Sequence, residues 1–267
     1  MAAISENRYA KVGGHHIRYV EAGTGAPVVM LHGLGFNASA DQFAAAMELL
    51  SERYRTIAVD NLGWGHSDRP VTDYSFPLWV DTLVGLLDEL DIERANLIGH
   101  TLGGWVCALV AHQHPERVDK LVLVNNAGLN PTAPTSPGEF RLPDRDAVRR
   151  SLERTFEGSY AVTDAMVDDE FKRQERPGTA EAYEAIVRYV ADLNVRAEWG
   201  LANRLPAMAT PTLVVWGDDD PVITPEYGKQ AADLLPNGRL VLIKEGAHIP
   251  LARKPKEFTQ VVTEFLG

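Results

Sequence analysis

Runs of apolar residues that end on glycine or on a short polar group punctuate this chain at regular intervals. PVVMLHG (27–33), RTIAVDN (55–61), ANLIGH (95–100) and KLVLVNN (120–126) come first, and TLVVWGDD (212–219) and RLVLIKEG (239–246) follow. A continuous apolar run of this length predicts a strand buried on both faces, because a strand with one wet face alternates instead. RYAKVGGHHIRYVEAG reads differently, as two short strands around Gly13-Gly14, a hairpin. Helical spacing lies between the strands, for example over Phe43 to Glu52, Leu78 to Leu90 and Gly104 to Gln113, and Lys256 to Leu266 predicts a closing helix. Strands alternating with helices mean βαβ units and a mostly parallel twisted sheet, an α/β protein.

The alternation breaks between about residues 129 and 208. A proline-rich opening (Pro131, Pro134, Pro137, Pro143) leads into purely helical spacing: Val148, Leu152 and Phe156, then Val167 and Phe171, then Tyr183, Ile186, Val187 and Val190. We read 129–208 as a helical cap inserted after the fourth parallel strand, with 1–128 and 209–267 forming the core. An insert after a strand's C-terminal end hangs over the sheet edge where ligands bind in open α/β folds, which makes it a candidate lid.

The chemistry concentrates at those strand ends. In Gly99-His100-Thr101-Leu102-Gly103-Gly104 a strand must turn at once into a helix and thrust one side chain outward. Small residues two positions before and after that side chain let strand and helix pack closely, the G-x-S-x-G arrangement of a nucleophile elbow, with Thr101 in the serine slot. The amide of Leu102, at the positive end of the helix, is a candidate oxyanion donor. LHGLG (31–35) follows another strand and offers a second amide, that of Leu34. VVWGDDDPV puts carboxylates just past a strand end, and EGAHIP puts His248 just past the last strand.

With LHGLG, DNLGWGHSD, GHTLGG, PTLVVWGDDDPV and GAHIP in this order, the chain resembles the α/β-hydrolases from about residue 8 to its C-terminus. That resemblance implies a Thr101–His248–Asp220 triad, in the chain order nucleophile, acid, histidine. It makes Asp220 the acid and leaves Asp218 and Asp219 as turn residues. Leu34 and Leu102 become the oxyanion hole, and no cofactor or metal is implied. Within the superfamily the chain is similar both to small esterases or lactonases and to C–C bond hydrolases of ring-cleavage diketones. The C–C group carries an Arg-aromatic pair in the lid for a substrate carboxylate, an Asn before the nucleophile and a Trp after the histidine. Here those places hold Glu170-Phe171, His100 and Ile249, with Arg173, Arg176 and Arg188 as candidate substitutes for the arginine. The expected reaction is hydrolysis of a small apolar carboxylic ester or lactone, with C–C hydrolysis as the alternative.

Threonine complicates the elbow. A nucleophile there adopts positive φ, which is unusual for a β-branched residue. Thr101 is then a native nucleophile in a pocket shaped for its methyl, a replacement of serine that slows turnover, or a lost function on a binding scaffold. Three other readings are weaker. Ser67, in GHSD, lacks the following glycine and the strand–helix setting. His32, in the HG turn, suits a structural hydrogen bond better than proton transfer. A nicotinamide-dependent oxidoreductase is suggested by Gly33-Leu34-Gly35-Phe36-Asn37-Ala38, Asp60 and Asn125-Asn126-Ala127-Gly128, but it lacks a Tyr-x-x-x-Lys pair and leaves GHTLGG, Asp220 and His248 unexplained.

Composition bounds the partners. The chain has 267 residues, 45% hydrophobic and 24% charged, with a formal net charge of -11. An acidic surface argues against nucleic acid and anionic membrane. The single cysteine, Cys107, sits in an apolar segment and reads as a small buried hydrophobe. No signal-peptide core opens the sequence and no apolar run approaches membrane-spanning length. A cytoplasmic protein acting on a small apolar molecule is expected, and a homodimer is compatible with the sequence.

Overall fold

The structure, a computed structural model, describes residues 4–130, 142–157 and 160–267. Pro131, Pro134 and Pro137 of the proline-rich segment lie outside the described residues. Eight strands form one sheet: β1 (Arg8–Val12), β2 (His15–Ala22), β3 (Pro27–Leu31), β4 (Arg55–Val59), β5 (Ala95–His100), β6 (Val118–Val124), β7 (Thr212–Gly217) and β8 (Arg239–Ile243). The spatial order is β1-β2-β4-β3-β5-β6-β7-β8. The β1–β2 hairpin and the β2–β4 pair are antiparallel. Every other pair is parallel.

The continuous apolar runs of β3 to β7 are explained by cover on both faces; β8 departs from that expectation, because it is the sheet's edge strand and leaves Leu242 exposed. Val28 and Met30 of β3, with Ile98, Val122 and Val215, face one cluster, which includes α1 (Ala44–Leu50) and α10 (Pro255–Leu266). Val29 and Leu31, with Leu97, Leu123 and Val214, face the other, built on α2 (Phe76–Glu89) and α3 (Leu102–Gln113). Side chains alternate across a strand with period two, so both alternate sets must be apolar. Helix α2 starts where Ser75 accepts from the Leu78 amide, with proline in the first turn.

Between β6 and β7 lie α4 (Arg145–Thr155), α5 (Asp164–Gln174), α6 (Thr179–Ala191) and α7 (Leu193–Trp199). Asp144, Thr163 and Asp192 cap α4, α5 and α7 with side-chain oxygens on backbone amides. These helices form the cap that the helical spacing predicted. Asn37 donates to Ser151 Oγ at 3.0 Å, joining the turn after β3 to the cap. The core closes with α8 (Pro225–Leu234), α9 (Pro250–Arg253) and α10. Among the described residues, no helix is long and apolar enough to cross a membrane.

Candidate active site

Thr101 stands between β5 and α3 with φ 45° and ψ -109°. Positive φ on a β-branched residue costs on the order of 1–3 kcal/mol and persists only where the surroundings over-determine it. Three backbone bonds do so. The Thr101 amide donates to the Val124 carbonyl at 3.1 Å, and its own carbonyl accepts from Trp105 at 3.0 Å and Ala127 at 3.1 Å. The glycines around it are required by close approach. A Cβ on Gly99 would overlap the backbone of Gly103, and one on Gly103 would overlap the carbonyl of Leu31. The Thr101 hydroxyl itself lies against Gly33, where a Cβ would overlap Oγ1.

Gly33 and Leu34 form the turn after β3. Leu34 and Leu102 both line the cavity beside Thr101. Leu102 opens α3, so its amide has no partner within the helix.

On the other side, His248 follows β8 and holds Asp220 through Nδ1, at 2.9 Å to Oδ2 and 3.0 Å to Oδ1. A carboxylate only accepts, so Nδ1 carries the proton and Nε2 presents a lone pair. The Asp220 side chain is fully buried. Burial alone would raise its pKa, but hydrogen bonds from His248, Asn125 and the Val222 amide outweigh it and hold the carboxyl below its ordinary value. The neighbouring aspartates do more than turn the chain. Asp218 Oδ1 accepts from the Glu245 amide at 2.8 Å and Asp219 Oδ1 from the Ala247 amide at 2.7 Å. Glu245 and Ala247 both have positive φ, 54° and 48°. Asp218, Asp219 and Asp220 thus grip the histidine loop at three successive points.

The geometry adds two residues to which the sequence assigned no such role. Asn125, φ 42°, donates to Asp220 Oδ2 at 2.6 Å and to the Ala247 carbonyl at 3.2 Å, and its Oδ1 accepts from the Gly217 amide at 3.3 Å. It belongs to the NNAG stretch, whose dehydrogenase likeness hid the more telling signal, an asparagine just past the end of a central strand. His100, which stands where the C–C hydrolases carry an Asn before the nucleophile, is buried and bonded through both ring nitrogens.

The decoys settle into structure. His32 donates from Nδ1 to the Gly33 carbonyl at 2.8 Å and accepts the Asn61 amide on Nε2 at 3.0 Å, a buried hinge between two strand ends. Ser67 donates to the Asp60 carbonyl at 2.6 Å and accepts from the Arg18 amide. Asp60 binds Arg18, the Ala40 amide and the His66 amide, so the acid that a ribose hydroxyl would need is already engaged.

The site opens on a cavity of about 670 Å³ between core and cap, with mostly apolar walls that include Leu152, Phe156, Val190 and Ile223. One end is charged. Arg18 pairs with Asp41 and Asp60, and Arg173 pairs with Asp41 and Glu170. Glu170 is buried, and that burial raises its carboxyl above the ordinary value. Arg176 bonds the Gly65 carbonyl and Arg188 is exposed, so of the three candidate arginines only Arg173 lines the cavity. Arg196, not among those candidates, also lines it. Its guanidinium bonds the Val190 and Asn130 carbonyls and lies 5.2 Å from the Trp105 ring.

The sequence profile described as "alpha/beta hydrolase fold" matches residues 26–255. The chain therefore belongs to the α/β-hydrolase fold family. It is 32% identical over 258 residues to a 2-hydroxymuconate semialdehyde hydrolase of Pseudomonas sp. (strain CF600), covering 92% of this chain and 89% of that one. Among solved structures it is similar to a serine hydrolase involved in carbazole degradation, the CarC enzyme, with a TM-score of 0.84, 26% identity and 99% of each chain covered. The enol-lactonase of Burkholderia xenovorans LB400 superposes with a TM-score of 0.72 at 25% identity, covering 97% of this chain and 99% of that one.

Proposed function

We propose that the protein hydrolyses a small, uncharged, apolar carboxylic ester or lactone by acyl transfer through Thr101, His248 and Asp220. The observation that carries this reading is the pinned imidazole. His248 gives Nδ1 to a buried carboxylate, which leaves Nε2 as the nitrogen that can take a proton, on the cavity that Thr101 also lines. In the first step Nε2 takes the Thr101 proton as Oγ1 bonds the substrate carbonyl carbon. The oxyanion so formed is met by the Leu34 and Leu102 amides, a contribution of about 3 kcal/mol for each donor of this kind. The alcohol departs with the proton from His248. Water, deprotonated by His248, then attacks the acyl-threonine ester, and His248 returns that proton to Thr101 Oγ1 as the acid is released. Asp220 stabilises the imidazolium in both steps. The pairing of Arg18 and Arg173 with carboxylates supports an uncharged substrate, because the charge of each guanidinium is already met by protein carboxylates.

One observation favours a second reading, C–C hydrolysis of a carboxylate-bearing ring-cleavage diketone. Arg196 has no carboxylate partner among the described residues, and its Nε is unbonded. The 2-hydroxymuconate semialdehyde hydrolase relative points the same way.

Turnover of p-nitrophenyl butyrate by the parent, Thr101→Ser, Thr101→Ala and His248→Ala tests the first reading. The parent should be active, and Thr101→Ala and His248→Ala should fall by on the order of 1,000-fold or more. Equal slow rates in all four would remove the catalytic assignment. A Thr101→Ser enzyme much faster than the parent marks threonine as a handicap, and a slower one marks a pocket fitted to its methyl.

A further inference from the structure

The steps above give no task to His100, although it is the chain neighbour of Thr101 and its ring centroid lies 5.0 Å from that of His248. His100 ends β5, is 3% exposed, and spends both ring nitrogens on protein. Nε2 lies 2.8 Å from the backbone carbonyl of His248, and Nδ1 lies 3.1 Å from Gln42 Nε2. A carbonyl can only accept, so Nε2 carries the hydrogen. Nδ1 is then the acceptor and the Gln42 amide the donor, which fixes both the tautomer and the orientation of Gln42. Burial, reinforced by the nearby His248, pushes the His100 pKa down to about 3, so the ring stays neutral across the working range.

The His248 loop needs outside anchors, because Glu245 and Ala247 sit in left-handed conformations. Asp218, Asp219 and Asp220 come from the end of β7, and Asn125 from the end of β6. These hold the loop and one side of the ring. Of the anchors named, His100 alone comes from the strand that delivers Thr101. It grips the His248 carbonyl, next to the Cα about which the imidazole swings.

We propose that His100 is a positioning residue, a strut that sets the spacing between the Thr101 hydroxyl and His248 Nε2, with Gln42 bracing its ring. This rests on the acyl-transfer reading. Proton transfer tolerates little error in that spacing, and Thr101 can correct little of it, because its methyl restricts χ1. A reacting pair displaced by about 1 Å loses on the order of 100-fold in rate. His100→Phe keeps the ring volume but leaves the His248 carbonyl without its donor. His100→Gln can still reach that carbonyl with an amide hydrogen.

The test compares the parent with His100→Phe, His100→Gln and Gln42→Leu on p-nitrophenyl butyrate, with rates scaled to the folded fraction. The strut predicts that His100→Phe loses on the order of 100-fold in kcat with KM within about threefold, and that His100→Gln recovers to within about tenfold of the parent. Gln42→Leu should fall between them. A role confined to stability lowers the melting temperature and leaves kcat per folded molecule unchanged, so His100→Phe within about threefold of the parent overturns the proposal. Imidazole ¹⁵N spectra supply an arm that needs no turnover. The His248 signals should broaden or shift in His100→Phe and return in His100→Gln. If the parent cleaves no ester, the acyl-transfer reading fails by itself, and unchanged His248 signals in His100→Phe then overturn the strut separately.

Discussion

Asn125 donates its side-chain amide to Asp220 at 2.6 Å, on the same carboxylate that receives His248. The acid is therefore held from two sides, and its second oxygen also accepts the Val222 and Ile223 amides. Asn125→Ala removes one donor from a buried carboxylate and one from the Ala247 carbonyl. Stability should fall by about 1–3 kcal/mol. The fall in kcat should be on the order of 10- to 100-fold, since the imidazole loses part of its orientation. Urea denaturation and steady-state kinetics on one ester measure both, and a variant with parental kcat would show that Asp220 needs no support from β6.

The histidine loop carries strain that a single methyl reports. Ala247 has φ 48°, a conformation that costs an L-residue about 1–2 kcal/mol and glycine almost nothing. Ala247→Gly relieves this but frees the unfolded chain, so the net gain should be about 0.5–1 kcal/mol. The same change loosens the segment just before His248, and kcat should drop severalfold, a trade of activity for stability. A variant that loses stability would place the strain elsewhere.

The sequence made the scaffold legible because burial on both faces writes itself as unbroken apolar runs, as in β3 to β7, although the same kind of run in β8 belongs to an edge strand with Leu242 exposed. The elbow was equally readable, since Gly99 and Gly103 are dictated by backbone contact. Side chains that act on other side chains were not. Asn125 and His100 meet the His248 loop only after strands remote in sequence are laid side by side, across 122 residues from Asn125 to Ala247 and 148 from His100 to His248. Nothing in their local spacing encodes that meeting. Arg173 shows the converse. Its candidacy for binding a carboxylate was visible, but the partners that occupy it, Asp41 and Glu170, needed the fold to appear.

His100 also ties stability to pH. In the folded chain its pKa is about 3, while the unfolded value is about 6.5. Between the two the unfolded chain binds a proton that the native chain refuses, so stability is complete above about pH 6.5 and is lost as pH falls toward 3. His32, fully buried and lowered mainly by desolvation, acts in the same direction. Glu170, whose carboxyl is raised, opposes them. The difference between parent and His100→Gln isolates the one ring. Between pH 5 and 6 the parent's unfolding free energy should fall faster than the variant's, by about 1.4 kcal/mol per pH unit at the limit. Denaturant titrations at several pH values measure both slopes, and parallel slopes would mean that His100 titrates normally in the fold.

Gly33 and Thr101 supply the sharpest steric test. A Cβ on Gly33 would overlap Thr101 Oγ1, lie 3.1 Å from His100 Nδ1 and lie 3.3 Å from Thr101 Cβ. Gly33→Ala should therefore displace the Thr101 hydroxyl and shift the turn that carries Leu34. Activity should fall by on the order of 100-fold or more, with overpacking costing about 1–3 kcal/mol of stability. The overlap is chiefly with one oxygen, so removing that oxygen should relieve it. In a Thr101→Ala background the same Gly33→Ala change should cost at least about 1 kcal/mol less, a coupling that a double-mutant cycle by urea denaturation resolves. Thr101→Ser keeps the oxygen and should give no such relief. Additive effects in the Thr101→Ala cycle would mean that the hydroxyl points away from Gly33 in solution.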